Sequence, residues 1–395
     1  MSRWLVVLLA LSGFAQAAWQ FDAPIDVVDG PPRFFHVESA GRKNIAISGE
    51  WVAVVYAEDE AGVSRCHLAL KKRGSQGFQP PLRLSGDGEC AEPTVQALGG
   101  GDFLLAWQEG ERVWLRQLRG GRFAPAQLLA WAPAAQVSLG FHIDTGIFAA
   151  WSEHTGKAWR IRLAALDRHG RLRRSRFVDA VSKGNQNYPS LAVLPKNRLV
   201  VAWEDRRAGH TRLYYAVSRD AGRHFSAALP LNESDWPGQN FGFGRGTGVM
   251  RVALSPWAQG VAAVWADKRD FRSGYDVYAA FALLPGLRFG KNEKVQDPFG
   301  DNIAQWHPAI ATTGRGQVVV VWEDDRDGTP DIWLSWKTSE GWSDDLAVPG
   351  ASGADVQSDP SVAFDEEGHL HLVWLSKPDL NAPARLRYVR GRQLR

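Results

Sequence analysis

Short apolar runs separated by Gly, Asp, Asn and Pro recur along the whole chain, and no amphipathic stretch is long enough to make a substantial helix. One run always closes on an aromatic residue. It reads VAVVY to Tyr56, FLLAW to Trp107, IFAAW to Trp151, LVVAW to Trp203, VAAVW to Trp265, VVVVW to Trp322 and LHLVW to Trp374. A second marker sets an aromatic residue or Leu six positions before an aliphatic one, from FDAPIDV (Phe21 to Val27) to WSDDLAV (Trp342 to Val348), again seven times. Between the two lies a third strand-like run such as RLYYAVS, and ahead of the first lies a shorter one such as PSLAVL or PSVAF. Each unit is therefore four strands, A to D, and seven such units predict a seven-bladed β-propeller of four-stranded antiparallel blades. The chain starts on a D-type strand and its seventh unit stops at strand C. The N-terminal strand is thus expected to complete the last blade and close the ring, which removes free sheet edges.

The first residues, MSRWLVVLLALSGFAQAAWQ, carry Arg3, an apolar core and small residues at Ala15, Ala17 and Ala18. That is the form of a cleaved signal peptide. Residues 1–17 are read as the signal and 18–395 as one propeller domain, secreted or periplasmic. No other apolar run reaches the length of a membrane span. A net charge of +3 with acids and bases interleaved shows no nucleic-acid footprint, and a monomer is expected. Two cysteines, Cys66 and Cys90, are expected to pair in an exported protein.

The densest candidate chemistry is VVWEDDRDGTPDIWLSW, Val320 to Trp336. Its trio Trp322, Asp324 and Arg326 also occurs as Trp203, Asp205, Arg207 and as Trp265, Asp267, Arg269. One active site cannot use the same trio three times, so Asp324 and Arg326 are read as scaffold. The other register, Glu323, Asp325 and Asp327 before Gly328, is like the start of a calcium loop but has Leu334 where such a loop ends in Glu. A structural calcium and a solvated acidic turn are the two readings; no other cofactor is expected.

The octet SRDAGRHF, Ser218 to Phe225, resembles the Asp-box (BNR repeat) of sialidase-like propellers. The resemblance extends as a blade pattern over most of the chain. It implies that the octet is structural and lies away from the ligand face. Sialidases of that family bind a substrate carboxylate with three arginines and use a Tyr nucleophile with a Glu partner. By that resemblance Arg42, in GRKNIAIS, and Tyr188, in NYPSLAV, are the catalytic candidates. The family's R-I-P motif is absent, and Tyr188 falls in the fourth unit rather than late in the ring.

Loops joining B to C and D to the next A share one face. Two D-to-A loops there are long, 232–248 and 296–308. They carry Trp236, Asn240, Phe241, Arg245, Asp301, Asn302, Trp306 and His307, flat aromatics mixed with polar groups that suit a sugar or peptide. The preferred reading is a non-catalytic exported propeller that binds a glycan, an envelope component or a protein through this face. The alternative is a sialidase-like exo-glycoside hydrolase.

Overall fold

The structure, a computed structural model, describes residues 19–181, 183–233, 248–269, 274–300 and 303–394. Seven antiparallel sheets, six of them built of consecutive segments, surround one axis. The innermost strands, A, of blades one to seven are Ile45–Ser48, Cys90–Gly99, Ala134–His142, Gln186–Leu194, Val249–Trp257, Gln305–Thr312 and Val356–Phe364. Blade seven takes its outermost strand from the other end of the chain. Trp19–Phe21 and Ile25–Asp26 both pair with Arg385–Gln393, in the registers Trp19 to Gln393 and Ile25 to Tyr388. The expected D strand is therefore split in two, and Asp22 and Asp26 between and within the pieces bind Arg390, Arg385 and Arg387.

The apolar alternation has a simple destination. Seven core clusters form, one in each cleft between neighbouring blades, so every sheet is covered on both faces. The seven aromatics that end strand B are the bulkiest fully buried side chains, Tyr56 and the six tryptophans. In five blades the indole N–H donates to a carboxylate two residues on, Glu109, Glu153, Asp205, Asp267 or Asp324, at 2.9–3.1 Å. In blade seven Gln357 accepts instead, at 2.7 Å. A buried indole N–H without a partner would be costly, so the acid follows the tryptophan for a physical reason.

Strands A share a second device. In blades two to seven each breaks register with strand B through a bulge. In blade one the strand is interrupted between Phe35–His36 and Ile45–Ser48. At each of the seven places a non-glycine residue adopts positive φ, between 48° and 61°. Two residues further on, five blades carry a buried polar side chain: Asn44, Thr94, Ser138, Ser190 or Ser361. Ser138, Ser190 and Ser361 accept the N–H of Leu191, Leu254 and Asn44 from the next strand A, lacing the ring at its axis.

Cys66, in strand C of blade one, is disulfide-bonded to Cys90, the first residue of strand A in blade two. Among the described residues no helix is long and apolar enough to cross a membrane.

Candidate functional site

The seven positive-φ residues are Arg42, Glu92, Gln136, Tyr188, Arg251, His307 and Asp359, one per blade. A bulge turns one extra side chain out of the strand's alternation. Here it sends each of them toward the axis on the face of the D-to-A loops, where residues from distant blades touch. Arg251 of blade five reaches Glu92 of blade two at 3.8 Å and Glu38 at 3.6 Å, and its guanidinium lies over the Tyr188 ring, 3.7 Å from the centroid. Arg42 of blade one meets Asp359 of blade seven at 3.4 Å. Asp359 lies 3.3 Å from His307 of blade six, whose Nδ1 is 2.6 Å from Glu323 Oε1.

Supporting groups fix these side chains from behind. Glu204 accepts the backbone N–H of Arg251 at 2.8 Å, and Glu323 accepts that of Asp359 at 2.5 Å. Gln136 Oε1 accepts both the Tyr188 N–H at 3.0 Å and the Ser152 hydroxyl at 2.7 Å. Holding seven non-glycine residues at positive φ costs on the order of 1 kcal/mol each.

Burial sets the electrostatics. It pushes the Glu92 carboxyl up to about 7, reinforced by Glu38 and Glu204 and opposed by Arg251 and Arg42. Burial also raises Glu204, against the Arg251 N–H and charge, and raises Tyr188, against Arg251. Beneath the ring, Lys43 donates to the carbonyls of Leu139 (3.2 Å) and Leu191 (2.9 Å) and caps an axial cavity of about 200 Å³. Burial lowers its ammonium to about 8. Two polar atoms of the ring are buried and unpartnered, Arg42 Nε and Glu92 Oε2.

Of the residues expected from sequence, Arg42, Tyr188 and His307 meet at this mouth. Trp306 lies next to His307 in strand A of blade six rather than in a loop, with its ring 4.8 Å from that of Tyr275. Trp236, Asn240, Phe241, Arg245, Asp301 and Asn302 lie outside the described residues. The calcium set is divided. Glu323 turns to His307 and Asp359, with which it forms one of three groups whose ligand atoms lie within 4.8 Å of one another; Glu323, Asp325 and Asp327 are not such a group among the described residues. Burial, Glu323 and Asp324 together raise the Asp325 carboxyl. Asp324 is fully buried against Arg326 at 2.6 Å and Trp322, as the repeated trio implied.

Glu92, Gln136, Arg251 and Asp359 were not found from sequence, although a signal was present. Four of the seven ring residues directly precede a Pro followed by a small residue: Glu92-Pro93-Thr94, Tyr188-Pro189-Ser190, His307-Pro308-Ala309 and Asp359-Pro360-Ser361.

No family model matches the chain, and no curated protein does. Solved structures do. A protein of unknown function from Dyadobacter fermentans DSM 18053 is 14% identical, over 95% of this chain and 99% of that one, with a TM-score of 0.56. Polysaccharide lyase Uly1 is 11% identical, over 95% and 100%, at 0.60. The GH93 α-L-arabinofuranosidase of Fusarium graminearum, in complex with arabinobiose, is 10% identical, over 94% and 98%, at 0.53. At such identities the likeness is one of fold.

Proposed function

We propose that this chain is an exported propeller that recognises an acidic glycan at its axial mouth. The observation that carries the reading is the convergence of Arg42, Tyr188, Arg251 and His307, from four different blades, on one opening. Two arginines on the ring suit a sugar carboxylate, because a planar guanidinium pairs with it in two parallel hydrogen bonds. Gln136 and Asp359 suit hydroxyl groups. The fold is shared with a polysaccharide lyase and an arabinofuranosidase, which supports a carbohydrate ligand by analogy only.

Several finer features belong to the same reading. Residues 1–17 act as the export signal, the disulfide belongs to an oxidising compartment, and the protein works as a monomer. The octet Ser218–Phe225 acts as an Asp-box. Ser218 Oγ bonds Asp220 at 2.9 Å and the Gly222 N–H at 2.8 Å, and Phe225 packs into the cleft between blades three and four.

The test is a glycan array read at neutral pH with the wild type, Arg42→Ala and Arg251→Ala. Acidic glycans should be retained over their neutral counterparts, and each substitution should weaken retention at least ~10-fold, the loss of one charged hydrogen-bonded contact. Equal retention of neutral and acidic glycans would remove the reading.

A further inference from the structure

Antiparallel pairing sends the A-to-B and C-to-D turns of every blade to the face opposite the mouth. On that face the C-to-D turns of blades two, three and four are basic in succession: Arg119 and Arg122, then Arg168 and Arg171, then Arg219 and Arg223, all exposed. The turns touch one another. Arg119 donates to the Arg168 carbonyl, Gln117 Nε2 donates to the same oxygen at 3.1 Å, and Arg174 donates to the Ala221 carbonyl of the blade-four turn. Strand D of blade three, Leu172–Phe177, extends the patch with exposed Arg173 and Arg176. Burial, then Arg223 and Arg173, lower the Arg174 guanidinium against the pull of Asp220, so like charge is crowded here.

Arginines that serve the fold elsewhere are paired, Arg385 and Arg387 with Asp26 and Arg390 with Asp22. These are not. Among the described residues only Arg119 of the patch meets a carboxylate, Asp102 at 4.0 Å. Asp167 and Asp220, the acids within the turns, accept turn amides instead, those of His169 and Arg171 and that of His224. Protection of a free sheet edge does not account for the charge, because other D strands, such as Gln127–Ala130 and Leu346–Ala347, carry no arginine. Two aliphatic side chains stand out on the same surface: Leu172, 52% exposed between Arg171 and Arg173, and Ile143, 80% exposed in the A-to-B turn of blade three. The spacing of strands puts the two turns of one blade roughly 10 Å apart.

We propose that this face docks on an anionic lipid bilayer, with the arginines on headgroup phosphates and Ile143 and Leu172 entering the acyl boundary. A guanidinium pairs with a phosphate through two parallel hydrogen bonds, and each one held near an anionic surface strengthens binding roughly 5-fold. The aliphatics select the partner. An exposed aliphatic side chain amid basic residues gains only where an apolar phase lies behind the negative charge, which a bilayer has and a soluble polyanion lacks. Docking by blades two to four leaves the mouth on the far side, open to its own ligand. The inference stands apart from the glycan reading, since it uses none of the ring residues.

The experiment sediments the exported chain with vesicles of phosphatidylcholine alone and of phosphatidylcholine mixed equally with phosphatidylglycerol. The wild type should bind the second and ignore the first. Replacing three exposed arginines together, Arg171→Gln, Arg173→Gln and Arg176→Gln, should weaken binding at least ~30-fold. The matching control, Arg112→Gln, Lys157→Gln and Arg206→Gln, removes the same charge beside the B-to-C turns of the same three blades, on the mouth face, and should bind as the wild type does. Ile143→Ser should cost about 10-fold at unchanged charge, the loss of one buried aliphatic, whereas Ile143→Leu should cost nothing measurable. All these side chains except Ile143 are charged and exposed, so unchanged melting temperatures serve as the check on folding. A wild type that ignores both vesicles overturns the proposal, as does an equal loss in the mouth-face control. Loss on the arginine variant with none on Ile143→Ser describes a surface for a soluble polyanion such as a nucleic acid, and it too overturns the bilayer assignment.

Discussion

The turn after strand B and the bulge in strand A make an instructive pair. In blades four, five and six the turn repeats both backbone and residues. Asp205, Asp267 and Asp324 each accept from a tryptophan and an arginine, and Arg207, Arg269 and Arg326 each lie over a strand C aromatic, 4.1–4.4 Å from its centroid. The bulge repeats only the backbone. Its seven side chains are two arginines, a glutamate, a glutamine, a tyrosine, a histidine and an aspartate. A position that keeps geometry and chemistry in successive blades serves each blade in the same way. A position that keeps geometry while the chemistry differs serves the one place where the blades meet.

The largest effect that can break this contrast is at the turn. Asp324→Ala leaves Arg326 half-paired and the Trp322 N–H buried without an acceptor, and should cost about 3–5 kcal/mol in a denaturant titration, with ligand affinity unchanged in the folded fraction. Lost affinity at unchanged stability would place the turn in the site.

Next in size is the disulfide, which closes a 24-residue separation and ends two residues before Glu92. Cys66→Ser with Cys90→Ser should lower stability by about 3 kcal/mol. It should weaken binding only through that loss, so affinity measured well below the melting temperature tells whether blade two's ring position depends on the bridge.

The smallest effect has the opposite sign. Glu92→Gly removes a buried carboxyl and gives the φ 48° position to the residue that adopts it most freely, so at pH 8 stability in a denaturant titration should rise by about 1–3 kcal/mol. The wild type should show the matching pH dependence. Folded Glu92 keeps its proton to about pH 7, whereas the unfolded chain loses it near 4.5. Stability from this group is therefore present at low pH and is lost as pH rises from about 4.5 through 7. Asp345, which burial lifts to about 7 despite Arg326, contributes with the same sign, so the difference between wild type and Glu92→Gly isolates the ring residue.

Fold and site were legible to different degrees for the same reason. Seven copies of an apolar run ending at Tyr56 or a tryptophan reinforce one another, and the D-type segment at the start of the chain has no place except against Arg385–Gln393. The bulge residues do not reinforce one another, since their identities differ from blade to blade. Of the residues that meet at the mouth, Arg42 and Tyr188 were read from resemblance and His307 from a loop segment whose end the structure makes strand A. Glu92 and Arg251 were not found, because contact across the axis depends on ring closure and not on local spacing. The Pro-and-small-residue pair that follows four of the seven marked the place; the informative residue was the variable one before it.

Trp19, among the first residues of the ring, waits for Gln393, among the last. Every strand pairing in blades one to six joins segments of the same unit, so those sheets can assemble as the chain emerges, while blade seven keeps an open edge until its C strand arrives. The slowest loop to close is thus the one that spans the whole chain, and the entropy of that closure grows only logarithmically with length. Until the ring closes, the protein keeps the C strand of blade seven as an open edge that any passing strand could pair with. Its own N-terminal segment, tethered nearby, competes for that edge at a high effective concentration, and the arginines along Arg385–Arg392 select it by pairing with Asp22 and Asp26.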